Sequence, residues 1–356
     1  MKHIYARFGT LLSAVLIVAV VFSLDSCKGS DLEFIDPFEF PIDYEEPEEP
    51  VIPQEPTAST PVLPTVTPVP AAAQQQSNAL TSAATPAAIP ANVQTTLSNA
   101  GSVSSSSGLN STTVQNFDKG DLNAIGSTPV ANLDQNVVAA AQAAAQNPVL
   151  KALFPSLTIP GGRIASGSVN SIGSTENSPN PIIPGTIAAT LETLLPCQIK
   201  LQEDFDNAIA DLDAWKQPRV NAVTSDFNAG IAAVNTAYTQ GVANALAQKN
   251  ATIESAKAFV SSALDNADRF ASIDAALATA IRQFAILYYY YALIISDLYY
   301  TTAVQAYTLV KTTDTNAWNN WKEVGLDQIN TAYNSKKAEY TATFEDAYAK
   351  CHNQGD

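Results

Sequence analysis

The chain has 356 residues, enough for about two domains, and its 34 acidic against 18 basic side chains give a formal net charge of −16. That balance excludes a nucleic-acid backbone as the main partner, because phosphates need a basic surface. The only histidines are His3 and His352, near the two ends, which excludes a Ser-His-Asp triad, a multi-histidine metal centre and a zinc-protease helix.

Lys2 and Arg7 form a short positive region, followed by an uncharged run from Phe8 to Phe22. That run fits the apolar stretch of a secretory signal and is short for a bilayer span of about 20 residues. Ser23-Leu24-Asp25-Ser26-Cys27 comes next, with Leu24 three before the cysteine and small Ser26 just before it. This resembles the lipobox of bacterial lipoproteins, with Asp25 standing where a small residue is usual. The resemblance extends from Met1 to about Glu33. It implies cleavage of a signal peptide over 1–26 and acylation of Cys27, giving an outer-membrane or cell-surface protein held by lipid. Two or more acyl chains anchor stably where one is marginal. The acidic stretch after Lys28 also resembles surface-directed lipoproteins of the Bacteroidetes. The alternative is an uncleaved membrane anchor in which Cys27 is incidental.

Residues 27–110 read as a disordered spacer. Twelve of the 21 prolines fall between Pro37 and Pro90, and Pro47, Pro50, Pro53 and Pro56 recur every three residues. That is the turn of a polyproline II helix, and the dense acidic residues around Glu45 to Glu49 favour extension. Phe34-Ile35 and Phe38 to Phe40 interrupt it as apolar patches. From Ala71 to Gly108 the chain is Ala, Gln, Ser and Thr with little to form a core. Residues 111–195 read as a mostly irregular linker with short helical or apolar patches, at 137–146, 149–157 and 186–195. Either they belong to an unstructured connection or they pack against the helical region C-terminal to them.

From Pro196 to residue 352 the composition becomes helical, with Pro218 the last proline and glycine sparse. Phe227, Ile231, Val234, Tyr238, Val242 and Ala245 step by threes and fours. So do Leu326, Ile329, Tyr333, Tyr340, Phe344, Ala347 and Cys351, with Lys336 and Lys337 in a gap. These stripes predict amphipathic helices burying one face. Asp204-Phe205 with Ile209-Ala210 recurs as Asp226-Phe227 with Ile231-Ala232. The spacing is two units of eleven, which would favour a weak right-handed twist if it persisted; it does not clearly persist and supports only helix. Breaks are expected near Asn250, near Ser272 and at Lys311 to Asp314, with a kink or restart at Pro218. The fold class expected is all-α, an elongated antiparallel bundle of long alanine-rich helices behind the disordered spacer.

Gln283 to Ser296 is uncharged and apolar or aromatic on every face. Three readings compete: a central helix buried all round, an oligomer or partner interface, and membrane insertion. Tyr288, Tyr289, Tyr290, Tyr291, Tyr299 and Tyr300 are the candidates for an interface, since tyrosine combines an apolar ring with a hydroxyl that needs a partner. Trp318 and Trp321, one turn apart, suggest packing near the start of a last helix, and Trp215 the end of a first one.

Cys197 and Cys351 bracket the helical region, and in an exported chain they are expected to pair as a disulfide. Pairing brings the two ends of the region together and selects an even number of long helices. Carboxylates such as Glu203 and Asp206, or Glu345 and Asp346, occur without the Glu-x-x-His of a di-iron bundle or the loop of an EF-hand. No phosphate-binding glycine motif is present. The sequence therefore calls for no cofactor, no metal and no catalytic residue. It points to an envelope protein displaying a helical head in a structural or adhesive role. The alternatives are an accessory protein that binds another envelope protein, or itself, through the tyrosine-rich helix, and an enzyme built on Asp or Glu.

Overall fold

Two very long helices dominate the computed structural model, which describes residues 42, 44–160 and 196–352. In chain order the elements are β1 (Thr65–Thr67), α1 (Ala71–Ser82), α2 (Ala91–Ser106), α3 (Ser111–Asn116), α4 (Asp121–Ser127), α5 (Gln135–Gln146), β2 (Ser156–Thr158), α6 (Pro196–Ala271) and α7 (Ala275–His352). The fold is an all-α bundle built on its two longest helices, of 76 and 78 residues. Its one sheet among the described residues is the short antiparallel ribbon β1–β2.

The described residues divide into two compact units. The larger comprises 48–160 and 214–333, and the smaller comprises 42, 44–47, 196–213 and 334–352. Helices α6 and α7 contribute to both.

In the larger unit the two helices form an antiparallel hairpin turning at Ser272 to Asp274. Asp274 caps α7, its Oδ1 accepting from the Leu277 amide at 2.9 Å. The expected break near Ser272 is therefore present, and Asp274 is the cap. The expected breaks at Asn250 and Lys311 to Asp314 do not occur, and α6 continues through Pro218. These sites carry local helix-stop residues, but one face of each stays packed on the partner helix, and packing overrides propensity.

That packing follows an eleven-residue period. On α6, Leu201, Leu212, Val223, Val234, Ala245, Ala256 and Ala267 are all buried. On α7, Ile281, Ala292, Ala303, Asp314 and Ala347 keep the same spacing and are also buried. Lys336 holds its place in that series with a largely covered stem while its ammonium reaches Glu339. Eleven residues over three turns is about 3.67 per turn, close to the natural 3.6, which favours a seam with slight right-handed supercoiling. The echo between Asp204-Phe205 and Asp226-Phe227 is thus two units of a period that does persist. It persists in position and burial, not in residue identity.

Small residues on one helix seat large ones on the other. The Trp318 indole lies on Gly230 and the Tyr307 ring on Gly241, while Gly325 faces Val223. A step of eleven on α6 is matched by eleven on α7, then seven by seven, so the register does not slip. Replacing Gly230 with alanine adds a Cβ that overlaps the core of the indole rather than the tip of a flexible chain. Alanine favours a helix by about 1 kcal/mol over glycine, but overpacking costs about 1–3 kcal/mol. Urea unfolding of Gly230→Ala is expected to show a net loss of up to ~2 kcal/mol; a gain would mean the ring does not rest there.

The expected disordered spacer is corrected within residues 44–110. Helices α1 and α2 fall inside it, and Leu80, Val93, Leu97 and Ala100 are buried. With α4, α5 and the turn at 147–154, they pack on the hairpin around Phe259, Phe270, Phe284 and Tyr288. Of the two readings of residues 111–195, the structure bears out packing on the helical region for 111–160. The physical reason is that a segment with one inward stripe needs no core of its own when a large apolar surface is supplied from elsewhere. Polar docking adds to this. Arg269 donates to the last carbonyls of α1, at Thr81 (2.9 Å) and Leu80, which are orphans in an isolated helix. The expectations placed on residues 1–41, 161–195 and 353–356, including Phe34 to Phe40 and the helix over 186–195, lie outside the described residues.

Candidate functional site

The proline-rich run expected to be free is laid along the hairpin as a strap. Tyr44, Pro47, Pro50, Pro53 and Pro56 are buried or half-buried, whereas the residues between them are exposed except Ile52. The three-residue proline spacing is therefore the spacing of an inward face. Apart from the Ile52 amide donating to the Pro50 carbonyl at 3.1 Å and the pairing of β1, an extended chain of this kind leaves its carbonyls free to accept from side chains of the helices.

In the larger unit Trp321 Nε1 donates to the Pro53 carbonyl at 2.8 Å, and the Tyr288 hydroxyl donates to the Pro68 carbonyl at 2.7 Å. The strap thus runs from Pro53 to Pro68 while α7, read in the opposite direction, runs from Trp321 back to Tyr288. At 1.5 Å per helical residue that is roughly 50 Å, or about 3.3 Å per strap residue, an almost fully extended chain. Glu49 pairs with the Arg219 guanidinium, which also stacks 4.3 Å from the Trp215 ring centroid. The Arg219 hydrogen bond and charge hold the Glu49 carboxyl below its ordinary value. Trp215 lies within α6, not at a helix end, and Trp318 and Trp321 lie mid-helix in α7, edge to face at 5.3 Å.

Asp314 is an acid placed in the apolar seam. Its two oxygens accept from the Ser59 backbone amide (3.1 Å) and hydroxyl (2.7 Å). An acid here requires such donors, because a buried carboxylate without them is strongly unfavourable. Other seam polars satisfy themselves: Thr252 donates to the Gln248 carbonyl and Ser296 to that of Leu293, each at 2.9 Å. Beside Ser59 the three-residue proline spacing is interrupted, five residues separating Pro56 from the next inward proline, Pro61, and a cavity of about 370 Å³ opens between strap and hairpin. Gly230, Ala233 and Ala237 form its floor, and Tyr238, Tyr307 and Trp318 its walls.

The tyrosines expected as an interface are largely occupied within the chain. Tyr288, Tyr289, Tyr290 and Tyr299 are buried, and Tyr291 and Tyr300 half-buried. Tyr289 donates to the Leu122 carbonyl at 2.6 Å. Burial pushes the Tyr288 and Tyr289 hydroxyls up, the latter to about 12, so both remain donors. By length and composition α7 is the one helix among the described residues able to cross a bilayer, yet 67% of its most apolar window is buried inside the protein. This fits the central-helix reading of the segment.

In the smaller unit Cys197 and Cys351 come to disulfide distance, with Cα atoms 6.3 Å apart. Leu201, Ala347, Ile42 and Phe344 surround them. Phe205 stacks on Phe344 at 4.7 Å, and the Tyr340 hydroxyl donates to the Glu45 carbonyl at 2.6 Å. Tyr44 lies edge-on to Tyr340 at 4.8 Å, its hydroxyl pushed up by burial and then by the Asp204 charge. Cys27 lies outside the described residues.

Among the described residues no group of three or more His, Cys, Asp or Glu is placed to hold a metal ion. Glu203 and Asp206, and Glu345 and Asp346, lie on helical turns near the two ends of the hairpin helices. The class defined by this geometry is a helical hairpin bound by its own proline-rich strap and by a group of short helices. No protein-family model matches the chain, and neither a curated protein nor a solved structure matches it.

Sequence reasoning missed the strap, the seam glycines and Asp314. The signal for the strap was present in the every-third prolines, and that for Asp314 in its place on the eleven-residue period.

Proposed function

We propose that this is an exported bacterial envelope protein, anchored by lipid on Cys27 at the outer membrane or cell surface, that displays the strapped hairpin in a structural or adhesive role. The observation that carries the export part is the Cys197–Cys351 pair at disulfide distance. Apart from Cys27 these are the only cysteines in the sequence, and such pairs form and persist in oxidising compartments. The lipid part rests on the charged start, the apolar run and the Leu24-to-Cys27 spacing.

The strap changes the reach of the display. Residues 44–68 lie on the helices and add nothing to the tether. Ile42 is also packed, around the cysteines, so what remains between Cys27 and Ile42 extends at most ~50 Å at about 3.3 Å per residue. The head is thus held close to the surface rather than at the end of a long stalk. A partner of the tyrosine-rich segment would meet rings already covered by this chain, so the display reading is preferred.

The test is intact-mass analysis of protein extracted from bacterial membranes. The expected result is loss of residues 1–26 and the added mass of the acyl groups on Cys27, with Cys27→Ser remaining uncleaved. A mature protein starting elsewhere, or carrying an unmodified Cys27, overturns the lipid anchor.

A further inference from the structure

We propose that the cavity under the strap binds an amphiphile with a medium-length apolar chain and a single carboxylate head. Its volume of about 370 Å³ is that of a small-molecule site, which typically has apolar walls and few polar groups. The sequence makes the space in two ways. Ala233 and Ala237 put little bulk on its helical side, and the proline spacing widens from three residues to five between Pro56 and Pro61, leaving 57–60 exposed. Ser59 then pins the strap back to the helix through Asp314, so the space is roofed and held open rather than collapsed.

The polar end is set by Lys311. Its ammonium lies 4.6 Å from the centroid of the Tyr238 ring, and among the described residues it has no ion-pair partner. Asp314, the other charge in the lining, already accepts two hydrogen bonds from Ser59. Both Asp314 oxygens are thus taken by the strap, which leaves the Lys311 ammonium as the charged group with capacity to meet a ligand, and a carboxylate matches it. A cationic head would meet Lys311 as a like charge, and a neutral head would leave that ammonium unmatched. Tyr307 and Trp318 offer ring faces to the alkyl chain.

The experiment is photolabelling of the full-length protein in intact cells with a diazirine-bearing decanoic acid. Matched diazirine decanol and a diazirine phosphatidylglycerol serve as the other arms. The expected result is labelling of peptides spanning Ala233 to Tyr238 and Val310 to Trp318 by the acid, suppressed by excess decanoate. Ala237→Phe, at an exposed helical position that accepts a larger side chain, is expected to abolish it with the circular dichroism melt retained. Lys311→Met is expected to reduce labelling by the acid about tenfold and leave that by the alcohol unchanged. Stronger labelling by the phosphatidylglycerol would assign the site to membrane lipid and overturn the free-acid ligand. Equal labelling by acid and alcohol overturns the role of Lys311. Labelling that decanoate does not suppress, or that survives Ala237→Phe, overturns the site. None of these readouts depends on how the protein is anchored.

Discussion

Replacing Cys197 and Cys351 together with alanine is expected to lower the unfolding free energy by roughly 4–5 kcal/mol, the chain-entropy value for so long a loop. The two positions are separated by 154 residues, and closing them removes much of the freedom of the unfolded chain. The pair also sits where α6 begins and α7 ends, and helix ends open first. Guanidinium denaturation of the oxidised protein, the reduced protein and the double alanine variant measures the effect. The last two are expected to coincide. If all three unfold at the same midpoint, the bond contributes nothing and the cysteines are merely close. Changing both residues avoids a stray thiol that would pair between molecules.

Phe154→Ala is expected to cost ~3–5 kcal/mol, as for other buried aromatic truncations. Phe154 is 1% exposed and packs its ring 5.6–5.9 Å from those of Phe284, Tyr288 and Tyr291. It joins the end of the short-helix segment to the middle of the uncharged stretch of α7. Hydrogen exchange is expected to show the amides of α1 to α5 losing protection before those of α6 and α7. Were residues 71–160 an unattached linker, the substitution would change neither stability nor exchange, so this measurement separates the two descriptions.

The long helices were legible because their physics is local. Alanine abundance, the stripes around Phe227 and Tyr333 and the break near Ser272 follow from helical periodicity and turn chemistry. The ends of the hairpin were legible through two cysteines and the compartment they imply. The strap was not, because a polyproline segment free in water and one lying in a groove have the same local sequence. What decides between them is whether Trp321, Tyr288 and Arg219 sit opposite the right carbonyls and carboxylates, some 170 to 268 residues away in the chain. Residues 71–110 were misread for a related reason. Leu80, Val93 and Leu97 are too few for a core of their own, and only the aromatic surface of α6 and α7 makes them sufficient. The eleven-residue period was hidden by its change of residue from step to step: Leu201 and Leu212 give way to Val223 and Val234 and then to Ala245, Ala256 and Ala267.

The strap also fixes when the protein can finish folding. Ser59 bonds to a residue 255 positions later, and Glu45 accepts from one 295 positions later. A chain made from its N-terminus delivers the strap first and its groove last. Residues 44–68 therefore wait without their partners until nearly all of α7 has been made. Their prolines and acidic side chains suit that interval, since neither pairs with a neighbouring strand nor collapses onto apolar surface. Contacts so distant in sequence are slow to form, so strap closure is the late step of maturation, completed only after the whole chain has arrived.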